Sequence, residues 1–221
     1  LMYPTPTESS SEEAKERFEK NRLSVTRQVH YNVDNPAQSV DMVLFLNGLP
    51  IVTLELKNRW TNQTARYQGR KQFVNDRDVR QPLFQFGRCV VHMTLDSEEV
   101  YMTTKVAGRD TFFLPFNKGH NNGPGNPPNP NGHRTAFLWE EVFTKKSLIN
   151  ILEHFVRLDG TDKTPLNKRT LFFPRFHQLD VVRKLLADVK ERGVGRKYLI
   201  QHSAGSGKSN SITWAAYQLI D

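Results

Sequence analysis

Two carboxylates and a lysine stand out because the residues around them are apolar. Glu55 and Lys57 lie in the run Ile51-Val52-Thr53-Leu54-Glu55-Leu56-Lys57, and Asp41 lies between Val40 and Met42. A charge inside an apolar strand is costly unless it is paired or bound to something. Side chains two apart on a strand share a face, so Glu55 and Lys57 point the same way. Such a trio suits phosphodiester hydrolysis. Carboxylate oxygens hold Mg²⁺, a hard cation. The metal lowers the pKa of a bound water and neutralises charge on the scissile phosphate. A lysine beside it orients the water and stabilises the added negative charge of the transition state. The plainer alternative is an exposed salt bridge at a strand end, because Asp followed by Glu-x-Lys at loose spacing is common by chance.

A second chemistry is written near the other end of the chain. Residues 202–209 read His-Ser-Ala-Gly-Ser-Gly-Lys-Ser. Glycines let backbone N–H groups close around a phosphate, and a helix N-terminus adds partial positive charge. In such a loop Gly205, Ser206 and Gly207 wrap the phosphates of ATP, Lys208 reaches the outer ones, and Ser209 ligates Mg²⁺. The strict phosphate-loop pattern has Gly where His202 stands. A Gly-Ser turn that happens to precede a lysine is the bland alternative. Upstream, Arg175-Phe176-His177-Gln178 at the head of an amphipathic helix resembles the glutamine motif of superfamily 2 motors, which implies that Gln178 contacts adenine; a helix-capping residue is the bland alternative.

The elements that must position these residues follow from periodicity. Residues 9–22 predict a charged helix capped by Ser10 or Ser11. Strands are predicted over 25–33, 40–46 and 49–57, with Asn47-Gly48 as a hairpin turn. Residues 61–77 predict a polar helix, and 89–95 and 98–104 a further strand pair turning near Asp96-Ser97. The stretch 117–134 is almost all Asn, Gly, Pro, His and Lys and predicts a long loop, functional or mobile. One or two helices are expected over 138–158, a linker over 159–170, an amphipathic helix over 177–192, a short strand over 197–201 and a final helix after the Gly-rich turn.

The hairpin sets a condition on the first site. A plain two-residue turn pairs Leu46 with Leu49, so that paired numbers sum to 95 and Asp41 faces Leu54. Glu55 and Lys57 would then lie on the side of the sheet opposite Asp41. A shared site requires an odd shift of register, and the expectation is an irregular connection near residues 46–50, with Gly48 available at a bulge.

Composition bounds the rest. The chain has 221 residues, room for one large or two small domains, and a net charge of +8, which suits a polyanionic partner. The single cysteine, Cys89, forms no intrachain disulfide, in keeping with a reducing cytoplasm. No apolar run reaches the ~18 residues of a membrane span, and the opening Leu1-Met2-Tyr3-Pro4 does not read as a signal-peptide pattern. The last helical pattern runs to the end without a cap, the expectation being a fragment of a longer protein.

The segment Ser39 to Asn58, with Asp41, the Asn-Gly-x-Pro turn at 47–50 and Glu55-Leu56-Lys57, resembles the core of the PD-(D/E)xK nucleases. More narrowly it is similar to the nuclease of type I restriction R subunits. Phe116-Asn117-Lys118-Gly119 and Gly125-Asn126-Pro127 resemble that family's loop after the nuclease sheet. The resemblance implies an α/β fold, a mixed sheet flanked by helices, over residues 1–160, and the first elements of a RecA-like helicase domain over 161–221. It implies Asp41 and Glu55 as metal ligands and Lys57 as the catalytic lysine. In the family a Gln-x-x-x-Tyr motif follows on a helix. Gln68 fits its Gln as active-site support, whereas Gln72 stands at the Tyr position. The loop at 202–209 and Gln178 are similar to the phosphate loop and glutamine motif of superfamily 2 motors. The implied activity is Mg²⁺-dependent cutting of double-stranded DNA after ATP-driven translocation, with modification (methyltransferase) and specificity subunits as partners. A nuclease–helicase fusion of DNA repair and a translocase that binds DNA without cutting are the competing readings.

Overall fold

The computed structural model describes residues 2–220. The chain forms two compact units, Leu1–Phe173 and Pro174–Asp221.

The first unit is built on a six-stranded mixed sheet in the order β1-β2-β3-β4-β5-β6. Its strands are β1 (Leu23–His30), β2 (Ser39–Leu46), β3 (Leu49–Leu56), β4 (Val91–Leu95), β5 (Val100–Thr103) and β6 (Leu114–Pro115). All neighbours are antiparallel except β3 and β4, which run parallel. A parallel pair needs a crossover, and residues 57–90 supply it, with a π-helical turn at Ala65–Gly69 leading into helix α2 (Arg70–Asn75). Before the sheet, helix α1 (Glu12–Glu19) is capped as the sequence predicts: Ser11 accepts from Ala14 N–H.

The sheet has two different faces. On one, the crossover packs close: Phe73 lies against His92 with ring centroids 6.0 Å apart, and a buried cluster of Val43, Ala65, Phe73, Phe84 and Phe113 fills the space. Gly69 decides the approach, because a Cβ there would sit 1.8 Å from Thr94 Oγ1. On the other face Leu44, Leu54, Leu56 and Leu95 line a cleft with Leu138 and Phe143, the latter pair from a second π-helical turn at Leu138–Val142 and its cap. At the hairpin end, Phe18 of α1 and Ile149 of α3 (Lys145–His154) pack on Leu46 and Ile51.

The Asn- and Gly-rich loop at 117–134 forms no helix or central strand, as its composition dictates, yet it is tied down. Buried Asn126 accepts from Lys118 N–H and donates to the Glu98 carbonyl and to Asn117 Oδ1, each at 2.8 Å. Asn117 in turn accepts from Val100 N–H at 2.8 Å.

Two local expectations are corrected. Residues 159–170 belong to the first unit and are not a linker: β7 (Arg157–Asp159) and β8 (Thr170–Phe172) pair antiparallel, and the polar stretch joins them. The division of the chain falls after Phe173 rather than after residue 160. The second unit holds α4 (Phe176–Arg192) and α5 (Lys208–Ile220), packed on each other. Residues 197–201 form no strand. Among the described residues of this unit there is no other strand to pair with, and a lone strand leaves its N–H and C=O groups without ladder partners.

Candidate active site and phosphate loop

The turn at Asn47-Gly48 is regular, with φ of 51° and 84°, the left-handed values of a two-residue hairpin turn. Leu46 pairs with Leu49 and Phe45 with Pro50. The irregularity lies one step further on. Leu44 pairs with Val52, so Ile51 is the extra residue of a β-bulge, and paired numbers then sum to 96. Ile51 packs against the cluster of Phe18, Leu46 and Ile149, which holds the bulge in place. The ladder ends at Met42 with Leu54, and the next pair in that register is Asp41 with Glu55. Asp41 Oδ2 accepts from the backbone N–H of Leu56 at 2.8 Å, and Oδ1 from Gln28 at 3.2 Å.

Glu55 is fully buried. Its Oε1 is ion-paired with Arg77, which is also buried. Its Oε2 has no hydrogen-bond partner, with Lys57 Nζ 3.8 Å away. Burial pushes the Glu55 carboxyl up to about 7; Arg77 opposes the rise, the negative charge of Asp41 adds to it, and Lys57 opposes it. Lys57 Nζ donates to Oε1 of Gln72. Arg77 is fixed from its other side: Nη1 donates to Tyr31 Oη at 3.0 Å, and the guanidinium lies 5.4 Å from the Tyr31 ring centre and 5.8 Å from that of Phe84.

Asp41, Glu55 and Lys57 are thus brought together, and Gln68 is not. Its Oε1 accepts from Thr64 N–H at 2.8 Å, at the start of the π-helical turn, and the side chain is exposed. Gln72, one helical turn later, faces Lys57 in its place. Two members of the cluster escaped the sequence reading. Gln72 carried a signal, since it stands at the motif's Tyr position. Arg77 carried none, because nothing local distinguishes a buried arginine from the surface arginines around it.

The donor set suits a hard divalent cation: two carboxylates, one with an orphaned buried oxygen. Among the described residues no cluster of three or more His, Cys, Asp or Glu forms a metal cage. Mg²⁺ commonly binds through one or two carboxylates, with waters and substrate phosphate completing its shell.

Residues 6–111 match the family of type I restriction enzyme R protein N termini. The matched R-protein region covers a little under half of the chain. It runs from before α1 to the turn after β5 and contains Asp41, Glu55, Lys57, Gln72 and Arg77. The loop at 202–209 lies outside the R-protein match. No curated protein matches the chain.

In the second unit, Gln178 is buried and bound to the Gly-rich loop. Its Nε2 donates to the carbonyl oxygens of Ser206 (3.3 Å) and Gly207 (2.9 Å), and its Oε1 accepts from Arg175 N–H at 2.9 Å. It therefore caps α4 and anchors the loop together. Gly205 and Gly207 have φ of 70° and 82°, and a Cβ on Gly207 would lie 2.4 Å from Gln178 Nε2. Ser206 is buried and Ser209 exposed at the start of α5. Lys208 Nζ donates back to the carbonyls of His202 (3.0 Å) and Ser203 (3.3 Å), so the ammonium closes the loop on itself.

Proposed function

We propose that the first unit is the DNA-cutting nuclease of a type I restriction R subunit, dependent on Mg²⁺, and that the second begins the ATP-driven motor. The observation that carries the nuclease reading is the bulge at Ile51. It sets Asp41 beside Glu55 and leaves one buried carboxylate oxygen without a partner. Asp41 and Glu55 would hold the cation, and the cation, when bound, would supply an activated water and charge neutralisation at the phosphate. Lys57, steadied by Gln72, would donate to the water or to a phosphoryl oxygen as negative charge develops there. Arg77 keeps one oxygen of Glu55 engaged, so the other is presented in a single orientation.

The motor reading rests on the loop between α4 and α5. Gln178, Gly205, Ser206, Gly207, Lys208 and Ser209 would bind ATP, with Lys208 released from the loop carbonyls to meet the outer phosphates. Double-stranded DNA, a methyltransferase subunit and a specificity subunit are the partners this reading supplies, and the cytoplasm is where they would meet. No helix among the described residues is long and apolar enough to cross a membrane.

The deciding experiment is plasmid cleavage by the protein assembled with its modification and specificity subunits, in Mg²⁺ and ATP. Cutting by the wild type and its loss in Lys57→Ala support the reading. Cutting that survives the substitution overturns the site. Translocation without any cutting by the wild type favours the DNA-binding translocase.

A further inference from the structure

Lys57 also lines one edge of a cleft whose other walls the nuclease chemistry does not use. It has a volume of about 350 Å³ and is lined by Arg59, Trp60, His133 and Trp139, among others. Small-molecule sites commonly run from about 300 to 1,000 Å³. Trp60 is 96 % exposed and Trp139 48 % exposed. Tryptophans left in water at one cleft are unusual unless something covers them.

Trp60 is held out on a fixed turn. Asn58 Oδ1 accepts from Trp60 N–H at 2.9 Å, the Asn58 carbonyl accepts from Thr61 Oγ1 at 2.8 Å, and Asn62 closes the turn at φ 57°. The turn fixes the backbone position from which the Trp60 ring extends. The surrounding segment is one-signed. From residue 57 to 75 it carries Lys57, Arg59, Arg66, Arg70 and Lys71 and no Asp or Glu. Arg59 lies 3.6 Å from Asp96 and Arg70 lies over the rings of Tyr101 and Phe113. Arg66 and Lys71 make no ion pair among the described residues. Tyr67, 66 % exposed, sits beneath Arg66.

Exposed aromatics interleaved with cations are the chemistry of single-strand recognition: cations follow the phosphates and rings stack on bases. Paired bases offer no free face to a tryptophan. We propose that this cleft takes an unpaired nucleotide of DNA, with its base stacked on Trp60 and Trp139 and its phosphate held by Arg59, which lines the cleft between them. The inference rests on the nuclease reading, since it places the strand beside Lys57. It assigns the protein a preference for DNA opened next to the cut.

The test uses the full chain carrying Asp41→Asn, which keeps the acceptor for Leu56 N–H, so that binding is read without cutting. Trp214→Phe is added so that tryptophan emission reports only Trp60 and Trp139. Oligonucleotides of one sequence are titrated in single-stranded, gapped and fully paired form. The expected result is quenching of the emission and binding of the single-stranded and gapped forms about tenfold tighter than the duplex. Trp60→Ala should remove most of that preference; so exposed a side chain contributes little to folding. Arg59→Ala should weaken all three forms and reduce the salt slope by about one. Equal affinity for all three forms, or a preference unchanged by Trp60→Ala, overturns the proposal. Either outcome leaves the nuclease reading to be judged by plasmid cleavage.

Discussion

The carboxylate of Asp41 accepts a hydrogen bond from the backbone N–H of Leu56 at 2.8 Å. A side chain of β2 thereby takes the place a strand carbonyl would have in the ladder, at the point where β2 and β3 stop pairing. The bond pins Asp41 next to Glu55 without using Oε2 of that residue. It also means that Asp41 has a positional role as well as a charge, and substitutions at the site must be chosen with that in mind.

Asp41→Asn and Glu55→Gln should each abolish cleavage while the protein stays folded. The amides keep the size of the carboxylates and an oxygen acceptor for Leu56 N–H and for Arg77, but they remove the charge a cation needs. Loss of one ligand should cost several kcal/mol of transition-state stabilisation. Plasmid cleavage, with circular dichroism as the folding control, measures both effects. Cutting by either amide variant would remove that residue from the site.

Arg77→Met should destabilise the fold by about 3–5 kcal/mol, because it leaves the Glu55 carboxylate buried without its partner. The double variant Arg77→Met with Glu55→Gln should recover a large part of the loss. Urea unfolding of the four proteins gives the coupling between the two residues. Additive losses would show that the pair does not act as a unit.

Gly69→Ala should cost about 1–3 kcal/mol, the usual penalty of forcing a methyl into packed space. The obstacle is Thr94 Oγ1, on a short, β-branched and buried side chain of β4 with no room to swing away. Because α2 must lift to make space, Gln72 should also lose Lys57, and cleavage should fall further than stability does. Wild-type melting and wild-type cleavage in this variant would contradict the close approach.

Two buried groups should give stability opposite slopes with pH. His92, fully buried beside Thr53, is pushed down to about 4 by burial. A depressed pKa means its contribution is present above its ordinary 6.5 and is lost as pH falls through 4. Glu55, raised from 4.5 to about 7, does the reverse: its contribution is present below 4.5 and is lost as pH rises through 7. Each is on the order of 3 kcal/mol, so the metal-free wild type should be nearly flat between pH 4.5 and 6.5. Glu55→Gln removes one slope, and its unfolding free energy should then rise steadily with pH over that window. A flat profile in Glu55→Gln would show that His92 is not buried as a neutral group.

The sequence by itself determined the elements and their chemistry. The apolar runs on either side of Asn47-Gly48 predict a hairpin, because the left-handed backbone that Asn-Gly favours matches the twist of the flanking strands. Ser10 or Ser11 must cap a charged helix, the structure choosing Ser11, and the Asn- and Pro-rich stretch at 117–134 must be a loop. The anomaly of charges in apolar strands singled out Asp41, Glu55 and Lys57, since burial penalises a charge wherever the chain goes. What sequence could not settle was register. Local pattern specifies which residues alternate, but a bulge is stabilised by what packs on it, and Ile51 is held by Phe18, Leu46 and Ile149 from three separate elements. The irregularity was foreseen near the turn and occurs just after it. Tertiary structure also decided which side chains complete the site. Gln72 rather than Gln68 meets Lys57, because Gly69 sets how closely α2 lies on β4. Arg77 reaches Glu55 because the crossover folds it beneath the sheet. Both contacts join residues far apart in the chain, and their energies exist only once the sheet and crossover have closed around them.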